Sequence, residues 1–471
     1  MTQAPSRLPL PNLIAFSLPG FSIGALAVAL TVYLPHYYAT HYGLALAAVG
    51  GAFAVIRFGD MFIDPLLGLA MDRTRTRFGR YKVWLVAGAP VLMLAVYMLF
   101  SPPAGVGLIY LAGWLLVYYL GFSLLLLSHS AWASVIAAKY HERSRTFGVI
   151  QLVSILGATL VLAVPALMAR RDGSSGTGDV AGMGWFIVIA APIGVAAAVL
   201  ATRETIVREV SAERFGLRDY WEMISRPDMR RIIIADFCLA LGPGWMSSLY
   251  LFYFHDSRGF TIARATTLLG IYIAAGIIGA AALATLAQRL GKHRTLQVAS
   301  TGYSLGLIGI AFVPKGDYAI AAALMFVQGF LAAGFPLLDR AMVADVGDAV
   351  RLEKGKQRTG LLYAMISTTQ KLAGSASIGL SYILLGVIGY KAKDGAANTA
   401  AAIHGMELVY ILVPIVFVML GGAVYIGYRL DSDRHADIRA QLEARDAELT
   451  EPPILESLTG DQGVATRLAG G

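Results

Sequence analysis

The sequence predicts an all-α integral membrane protein with twelve transmembrane helices in two six-helix bundles, and with both termini on the cytoplasmic side. Only 14% of the 471 residues are charged and 57% are hydrophobic, whereas soluble domains carry about 25% charged residues. The apolar residues fall into runs of about 20 or more, the length that crosses a ~30 Å hydrocarbon core as a helix. A polar segment near the middle divides these runs into six and six.

The twelve predicted spans follow one another with short connections. Their bounds are 12–36, 45–71, 82–101, 105–137, 146–169, 183–202, 231–254, 262–287, 296–314, 318–346, 359–388 and 405–428. We therefore expect a first bundle in 1–202, a cytoplasmic middle loop in 203–230, a second bundle in 231–428 and a cytoplasmic tail in 429–471. The tail is charged, and we expect a short surface helix followed by disorder.

Basic residues concentrate in the loops of one side. They are Arg73, Arg75, Arg77, Arg80, Lys82, Lys139, Arg143, Arg145, Arg289, Lys292, Arg294, Arg351, Lys354, Lys356 and Arg358. By the positive-inside rule this side is cytoplasmic, as expected for a multi-pass protein of a bacterial inner (plasma) membrane. The formal net charge of +8 is then a topology signal in a protein that contacts the lipid bilayer and no nucleic acid.

Equivalent loops of the two halves have similar sequences. "MDRTRTRFGRYK" after span two and "LAQRLGKHR" after span eight share Arg-x-Gly-[Arg/Lys], although the overall identity is weak. Repeated six-helix halves are typical of transporters, in which the solute binds near mid-membrane between two rocking bundles.

An enzyme, a disulfide and a metal centre are not expected. The single cysteine, Cys238, has no partner for an intrachain disulfide, and the chain lacks a CxxC motif or a His/Cys cluster. It also shows no nucleophile–base pattern. We expect no cofactor beyond a coupling ion.

Two acids interrupt the second span, in "RFGDMFIDPLLG". Ionisable groups at membrane depth cost roughly 2.5–3.5 kcal/mol each and usually have a function. Asp60 and Asp64 lie one helical turn apart, and Arg57 is placed to pair with Asp60 at i, i+3. Two neighbouring acids repel each other unless a cation lies between them, which suits a site for Na⁺ or a proton. The alternative is a structural Arg–Asp pair with a second acid that serves helix packing.

A lysine lies about three turns inside span eleven. Lys371 needs an acidic or polar partner at that depth. If spans two and eleven meet, Lys371 competes with the coupling cation for Asp60 or Asp64, which would couple ion binding to movement of the bundles. The alternative is that the lysine snorkels toward a membrane surface.

Charged residues at the cytoplasmic ends form a predicted gate. "GLAMDRTRTRFGRYK" resembles the loop between helices two and three of the major facilitator superfamily, where an acid caps a neighbouring helix and arginines latch helix ends together. We assign gating to Arg57, Asp72, Arg73, Arg77, Arg80, Arg145 and Arg358.

Three motifs in combination resemble the melibiose-permease-like glycoside–pentoside–hexuronide:cation symporters. They are "RFGDMFIDPLLGLAMDRTRTRFGRYKVW", "ERSRTFG" and "MVADVGDAVRLEKGKQRTGLLYAMISTTQK". The resemblance implies a major facilitator fold with a sugar bound between the halves. It also implies that Asp60 and Asp64 are the cation-binding acids, Lys371 the helix-eleven lysine and Trp132 the helix-four tryptophan.

Departures from that family pattern change the expected ion and solute. Ile63 stands where sodium-using members have an asparagine, so an oxygen ligand is lost and H⁺ is favoured over Na⁺. Gly20, Ser128 and Gln151 stand where the family has charged sugar-binding residues. Melibiose itself is therefore not expected. The candidate substrate-binding residues are Trp132, Ser128, His129, Gln151 and Lys371.

The sequence thus predicts a secondary active transporter that couples a cation to a small organic solute, a sugar or glycoside, by alternating access, as a monomer. The alternative is a lysolipid-like or other amphiphilic substrate, because aromatic faces also suit acyl chains. Three smaller features remain. Asp339 either faces the cavity or is structural, Asp236 is expected near a helix end, and "GPG" at 242–244 predicts a break in span seven.

Overall fold

The computed structural model describes residues 8–136, 140–165, 167, 177–202, 204, 217–354 and 359–450. Its regular secondary structure in these ranges is helical, with turns and loops between the helices. The helices of the first half are α1 Leu10–Ser17, α2 Pro19–Val28, α3 Leu34–Thr40, α4 Leu46–Arg73, α5 Lys82–Phe100, α6 Leu108–Ile136, α7 Tyr140–Val161 and α8 Thr177–Ala201. A π-helical segment, Ala29–Tyr33, joins α2 to α3, so that α1 to α3 form one rod.

The second half repeats this plan. Its helices are α9 Leu217–Ser225, α10 Pro227–Leu251, α11 Ile262–Leu290, α12 Lys292–Ala311, α13 Tyr318–Ala332, α14 Gly334–Lys354, α15 Thr359–Val387, α16 Ala400–Ala423 and α17 Ser432–Thr450. A second π-helical segment, Phe252–Ser257, extends α10. Helix α17 occupies the predicted tail, and the predicted disorder beyond it lies outside the described residues.

Ten helical segments of the described chain are long and apolar enough to cross a membrane. They include the rod Leu10–Thr40 and the joined pair Tyr318–Lys354. Helix α12 overlaps the span predicted at 296–314 and α15 lies within the one predicted at 359–388, but neither helix is among the ten. Large apolar side chains are exposed around the bundles, among them Ile109 at 90% and Leu200 at 85%, as expected for surfaces that face lipid.

Helix α10 continues through the predicted break at 242–244, so that prediction was wrong. The two glycines there serve close packing between helices. A Cβ atom on Gly242 would lie 2.4 Å from Val418 Cγ2, and one on Gly244 would lie 2.5 Å from Ser377 Oγ. Small residues at these positions let α10 approach α15 and α16 closely. The irregularity occurs instead in the π-helical segment that follows.

The halves are joined by α4 against α15 and by contacts at the predicted external end. Ser375 Oγ donates to Ala54 O at 2.8 Å, and Tyr33 OH lies 2.7 Å from Thr266 Oγ1. Further toward that end, Asp394 N donates to Thr40 O at 3.0 Å. In this conformation the two halves therefore meet at the side that the charge pattern predicts to be external.

Candidate functional site

The charged residues of α4 and α15 meet between the halves. The four-residue spacing in α4 places Asp60 and Asp64 on one face, and Lys371 of α15 reaches both acids. Lys371 Nζ lies 3.2 Å from Asp60 Oδ2 and also contacts Asp64 Oδ2 directly. The structure thus brings together the three predicted cation-coupling residues. We call these residues, with Arg57 and Ser123, the ion cluster.

Asp60 is the most buried charged member of the ion cluster, with 1% of its surface exposed. Its Oδ2 accepts a hydrogen bond from Arg57 Nη1 at 2.9 Å, and its Oδ1 accepts one from Ser123 Oγ at 3.0 Å. A buried carboxylate is costly unless it is paired and hydrogen-bonded. With Lys371 as a third donor, both of its oxygens are satisfied.

Asp64 is less completely satisfied. Its Oδ2 contacts Lys371, whereas its buried Oδ1 has no hydrogen-bond partner among the described residues. The cluster contains two acids and two bases, so its formal charges balance without a bound cation. Na⁺ prefers several hard oxygen ligands, and the neighbouring Ile63 supplies none.

Sequence reasoning missed the contribution of α6 to the ion cluster. Ser123 donates to Asp60, and the ring of Tyr119, one turn earlier, lies 4.8 Å from Arg57 Cζ. The signal available in the sequence was a polar serine within the apolar run "LLVYYLGFSLLLL". Its partner could not be identified without knowing which face of α6 meets α4.

The structure does not bring the predicted substrate-binding residues of the first half into one pocket. Ser128 Oγ donates to the backbone oxygen of Leu124 at 2.6 Å, and His129 Nε2 lies 2.8 Å from Phe16 O. Trp132 packs edge-to-face on the same phenylalanine, with ring centroids 5.1 Å apart.

All three of these side chains are buried, and those of His129 and Trp132 contact Phe16 of α1. Gln151, by contrast, is exposed on α7. Lys371, the remaining predicted contact, belongs to the ion cluster. None of the four first-half residues lines the cavities described below. In the described part of the chain, His129 and Trp132 therefore pack on Phe16 and Gln151 is exposed, and the shared pocket stays a prediction.

The predicted gate residues of the loop between α4 and α5 lie at the bundle surface. Arg73 and Arg77 are exposed, and the Arg77 guanidinium lies 4.7 Å from the Phe78 ring centroid. The guanidinium of Arg80 lies 5.4 Å from the Tyr81 ring centroid. The side chain of Asp72 lies outside what the structure describes.

Glu204 caps α5, in a role that sequence reasoning considered for Asp72. Its carboxylate accepts hydrogen bonds from the backbone N–H groups of Arg80 at 2.8 Å, Tyr81 at 2.9 Å and Lys82 at 3.0 Å. An acid at a helix N-terminus satisfies free donors and complements the helix dipole. This contact ties the end of the first bundle to the loop of the predicted gate.

The other two predicted gate arginines are Arg145 and Arg358. Arg145 donates to Leu8 O at 3.2 Å and lies 3.7 Å from Glu142, so these contacts stay within the first half. Arg358 lies outside the described residues.

Two of the cavities of the described structure concern the halves and their helices. One of about 600 Å³ opens at the predicted external end and is lined by Tyr37, His41, His255, Asp256, Lys391 and Lys393, among others. A second, of about 390 Å³, lies within the second half between α10, α11, α13, α14 and α15.

Residues 15–432 match the family model described as MFS/sugar transport protein. Among curated relatives, the chain is 25% identical over 464 residues to an uncharacterized symporter, YnaJ, of Bacillus subtilis, covering 95% of this chain and 97% of that one. It is 25% identical over 433 residues to a lactose permease of Lactobacillus delbrueckii, covering 86% and 67%. It is 24% identical over 447 residues to an isoprimeverose transporter of Lactiplantibacillus pentosus, covering 90% of each.

Solved structures with a similar fold include the nucleoside transporter NupG, in its D323A mutant. It has a TM-score of 0.65 and 12% identity, and the match covers 89% of this chain and 99% of that one. An inward-facing bacterial homologue of the human lysosomal transporter Spinster has a TM-score of 0.63 and 12% identity, covering 92% and 97%. These likenesses concern the fold. The family predicted from the sequence is confirmed: the chain belongs to the MFS/sugar transport proteins, the glycoside–pentoside–hexuronide:cation symporters of the major facilitator superfamily, a family of multi-pass membrane transporters.

Proposed function

We propose that this protein carries a sugar or glycoside across a bacterial inner membrane by alternating access, coupled to a cation, with H⁺ favoured over Na⁺. The names of its relatives, a lactose permease and an isoprimeverose transporter, support the solute class. The balanced ion cluster between the halves supports the coupling.

A single observation carries the proposal: Lys371 of the second half is held by Asp60 and Asp64 of the first half. In this state the lysine acts as the counter-ion of both acids and links the two halves. A proton on Asp64 would remove one attraction and free the lysine from that acid. The affinity of the acids for a proton and the position of the bundles are then linked, which is the requirement for symport.

The moving parts in this proposal are the two six-helix units, 1–202 and 231–428, with twelve spans and both termini in the cytoplasm. The middle loop 203–230 and the tail 429–471 lie on the cytoplasmic side, and the protein works as a monomer. The arginines of the loop between α4 and α5 gate that side. The contacts of Arg77 with Phe78 and of Arg80 with Tyr81 lie within the first half, as expected for an open gate.

Proteoliposome uptake tests the coupling. The purified full chain is reconstituted and offered lactose, raffinose or methyl xyloside under an imposed pH gradient, an imposed Na⁺ gradient or no gradient. We expect accumulation with the pH gradient. Asp64→Asn should abolish accumulation while solute exchange without a gradient persists, because exchange needs no change in the protonation of the cluster.

Asp348→Asn is the matched control, because Asp348 is a partly exposed acid of α14 that contacts His435 of α17, remote from the ion cluster. It should accumulate solute as the unsubstituted protein does. Full accumulation by Asp64→Asn would contradict the role of the acid. Accumulation of a lysolipid in place of every glycoside would favour the amphiphile alternative.

A further inference from the structure

The second cavity has the size and walls of a small-molecule site. Its volume is about 390 Å³, and sites for small ligands span roughly 300–1,000 Å³. The walls are mostly apolar and come from α10, α11, α13 and α14; they include Leu239, Ala240, Pro243, Tyr272, Ile273 and Phe335. The side chains with hydrogen-bonding groups among them are Asp236, Asp339, Gln370 and Tyr272. Such sites combine apolar walls with a few convergent polar groups.

Each of the two acids offers one oxygen that the protein leaves unpaired. Asp236 is 2% exposed and Asp339 is 1% exposed. Asp236 Oδ1 accepts a hydrogen bond from Gln370 Nε2 at 3.1 Å, and Asp339 Oδ1 accepts one from Tyr425 OH at 2.5 Å. The Oδ2 atom of each acid is buried and has no partner within the described part of the chain.

Buried polar atoms nearly always have a hydrogen-bond partner, and leaving a charged group unsatisfied is costly. Two such atoms at one cavity therefore point to a ligand that donates hydrogen bonds to both. Among the described residues that line this cavity there is no lysine, arginine or histidine. An anionic ligand would therefore meet two acids and no counter-charge from these lining residues.

We propose that this cavity binds the hydroxyl groups of an uncharged glycosyl unit through Asp236 Oδ2 and Asp339 Oδ2, and that it rejects hexuronates. The rings of Tyr272 and Phe335 supply apolar wall for the C–H faces of the sugar. The site rests on the proposed sugar transport and narrows its solute class to neutral glycosides. It also places solute recognition in the second half, away from Trp132.

The backbone of α15 connects this cavity to the ion cluster. Gln370 donates to Asp236 of the cavity, and the next residue, Lys371, donates to Asp60 of the ion cluster. A displacement of α15 that separates Lys371 from the acids of α4 also shifts Gln370 relative to Asp236. Solute binding and ion binding therefore act on the same helix segment.

Calorimetric titration of the purified full chain with lactose, methyl xyloside and methyl glucuronide tests the site. We expect the two neutral glycosides to bind and the glucuronide to bind at least about tenfold more weakly. Asp236→Asn and Asp339→Asn should each weaken binding of the neutral glycosides roughly tenfold or more, because each removes a charged acceptor. Asp348→Asn, on the same helix as Asp339 but outside the cavity lining, should bind as the unsubstituted protein does.

A second measurement covers the case in which an acid-to-amide variant does not fold. Ala240, which lines the cavity, is replaced by cysteine in a Cys238→Ser background. Lactose should slow the reaction of this cysteine with a thiol reagent, and glucuronide at the same concentration should not.

The outcomes separate the two proposals. If the unsubstituted protein binds lactose and both Asn variants bind it equally well, the cavity is not the site, although sugar transport stands. Equal binding of lactose and glucuronide, or equal protection of the cysteine by both, also overturns the inference. If none of the neutral glycosides binds to the unsubstituted protein, both the site and the proposed function fall.

Discussion

Replacing Asp60 by asparagine should destabilise the protein far more than the same change at Asp64. Asp60 is 1% exposed and accepts hydrogen bonds from Arg57, Ser123 and Lys371. In its best orientation, an asparagine turns its amide oxygen toward the two bases and its NH₂ group toward the serine hydroxyl. The two charge-assisted bonds then become bonds from a charged donor to a neutral acceptor.

The expected loss in the free energy of unfolding follows from these contacts. A hydrogen bond that involves a charged group contributes about 1.5–3 kcal/mol, against about 0.5–1.5 kcal/mol for a neutral pair. Weakening two such bonds therefore costs about 2–3 kcal/mol. The uncompensated positive charge left in a buried site raises this toward the roughly 3–5 kcal/mol lost when a buried ion pair is broken.

Asp64→Asn is the internal comparison. Asp64 is 18% exposed and pairs with Lys371 through one oxygen, so its replacement weakens one bond at about 1–1.5 kcal/mol. This change also leaves one excess positive charge in the cluster, but solvent screens it better here than at the buried Asp60. Apparent melting temperatures of the purified variants in one detergent should therefore rank the unsubstituted protein first, Asp64→Asn second and Asp60→Asn last. If Asp64→Asn lowers the melting temperature as much as or more than Asp60→Asn does, the argument from hydrogen-bond partners and burial is refuted.

Three further predictions concern charge balance, capping and packing. Lys371→Met leaves two acids with one base and should cost about 3–5 kcal/mol; adding Asp64→Asn should recover at least about 1 kcal/mol, as a double-mutant cycle of melting temperatures would show. Glu204→Gln should cost about 1–2 kcal/mol by weakening the cap of α5, and calorimetry should find lactose affinity unchanged. Gly157→Ala should prevent recovery of folded protein by size-exclusion chromatography, because its Cβ would lie 1.9 Å from Phe21 O.

Each of these predictions has a control or a contradicting result. A double variant as unstable as Lys371→Met would mean that the two residues do not act as a charge pair. Altered lactose affinity in Glu204→Gln would mean that the cap also shapes the solute site. The control for the packing variant is Gly68→Ala, whose Cβ would meet nothing within 4 Å; equal yields from the two alanine variants would contradict the close approach of α2 and α7.

Features that depend on local sequence were predictable. The span predicted at 82–101 is α5, Lys82–Phe100, and the span predicted at 359–388 is α15, Thr359–Val387. The pair Arg57–Asp60 follows from i, i+3 spacing alone, and the structure places its atoms 2.9 Å apart. These features are set by hydropathy and helical period, which act over a few turns of one helix.

Features that depend on which helix faces pack together could not be predicted from the sequence. The sequence-based span seven began at 231, which placed Asp236 near a helix end. Helix α10 instead begins at Pro227, so Asp236 lies more than two turns inside it and reaches the cavity. Trp132 was assigned to a pocket by resemblance, and His129 because it lies next to Ser128. The structure turns them toward Phe16 instead, and no local pattern in α6 marks that choice of face.

The equal number of acids and bases in the ion cluster determines how voltage would act on the proposed cycle. With Asp60 and Asp64 ionised against Arg57 and Lys371, the empty carrier reorients without moving net charge from this cluster through the electric field of the membrane. After proton uptake the same cluster carries one positive unit, and a potential that is negative inside draws it inward with about 2.3 kcal/mol per 100 mV. The membrane potential would then accelerate the reorientation of the loaded carrier and would not change the rate at which the empty carrier returns. Net uptake would therefore generate a current, whereas equilibrium exchange would not.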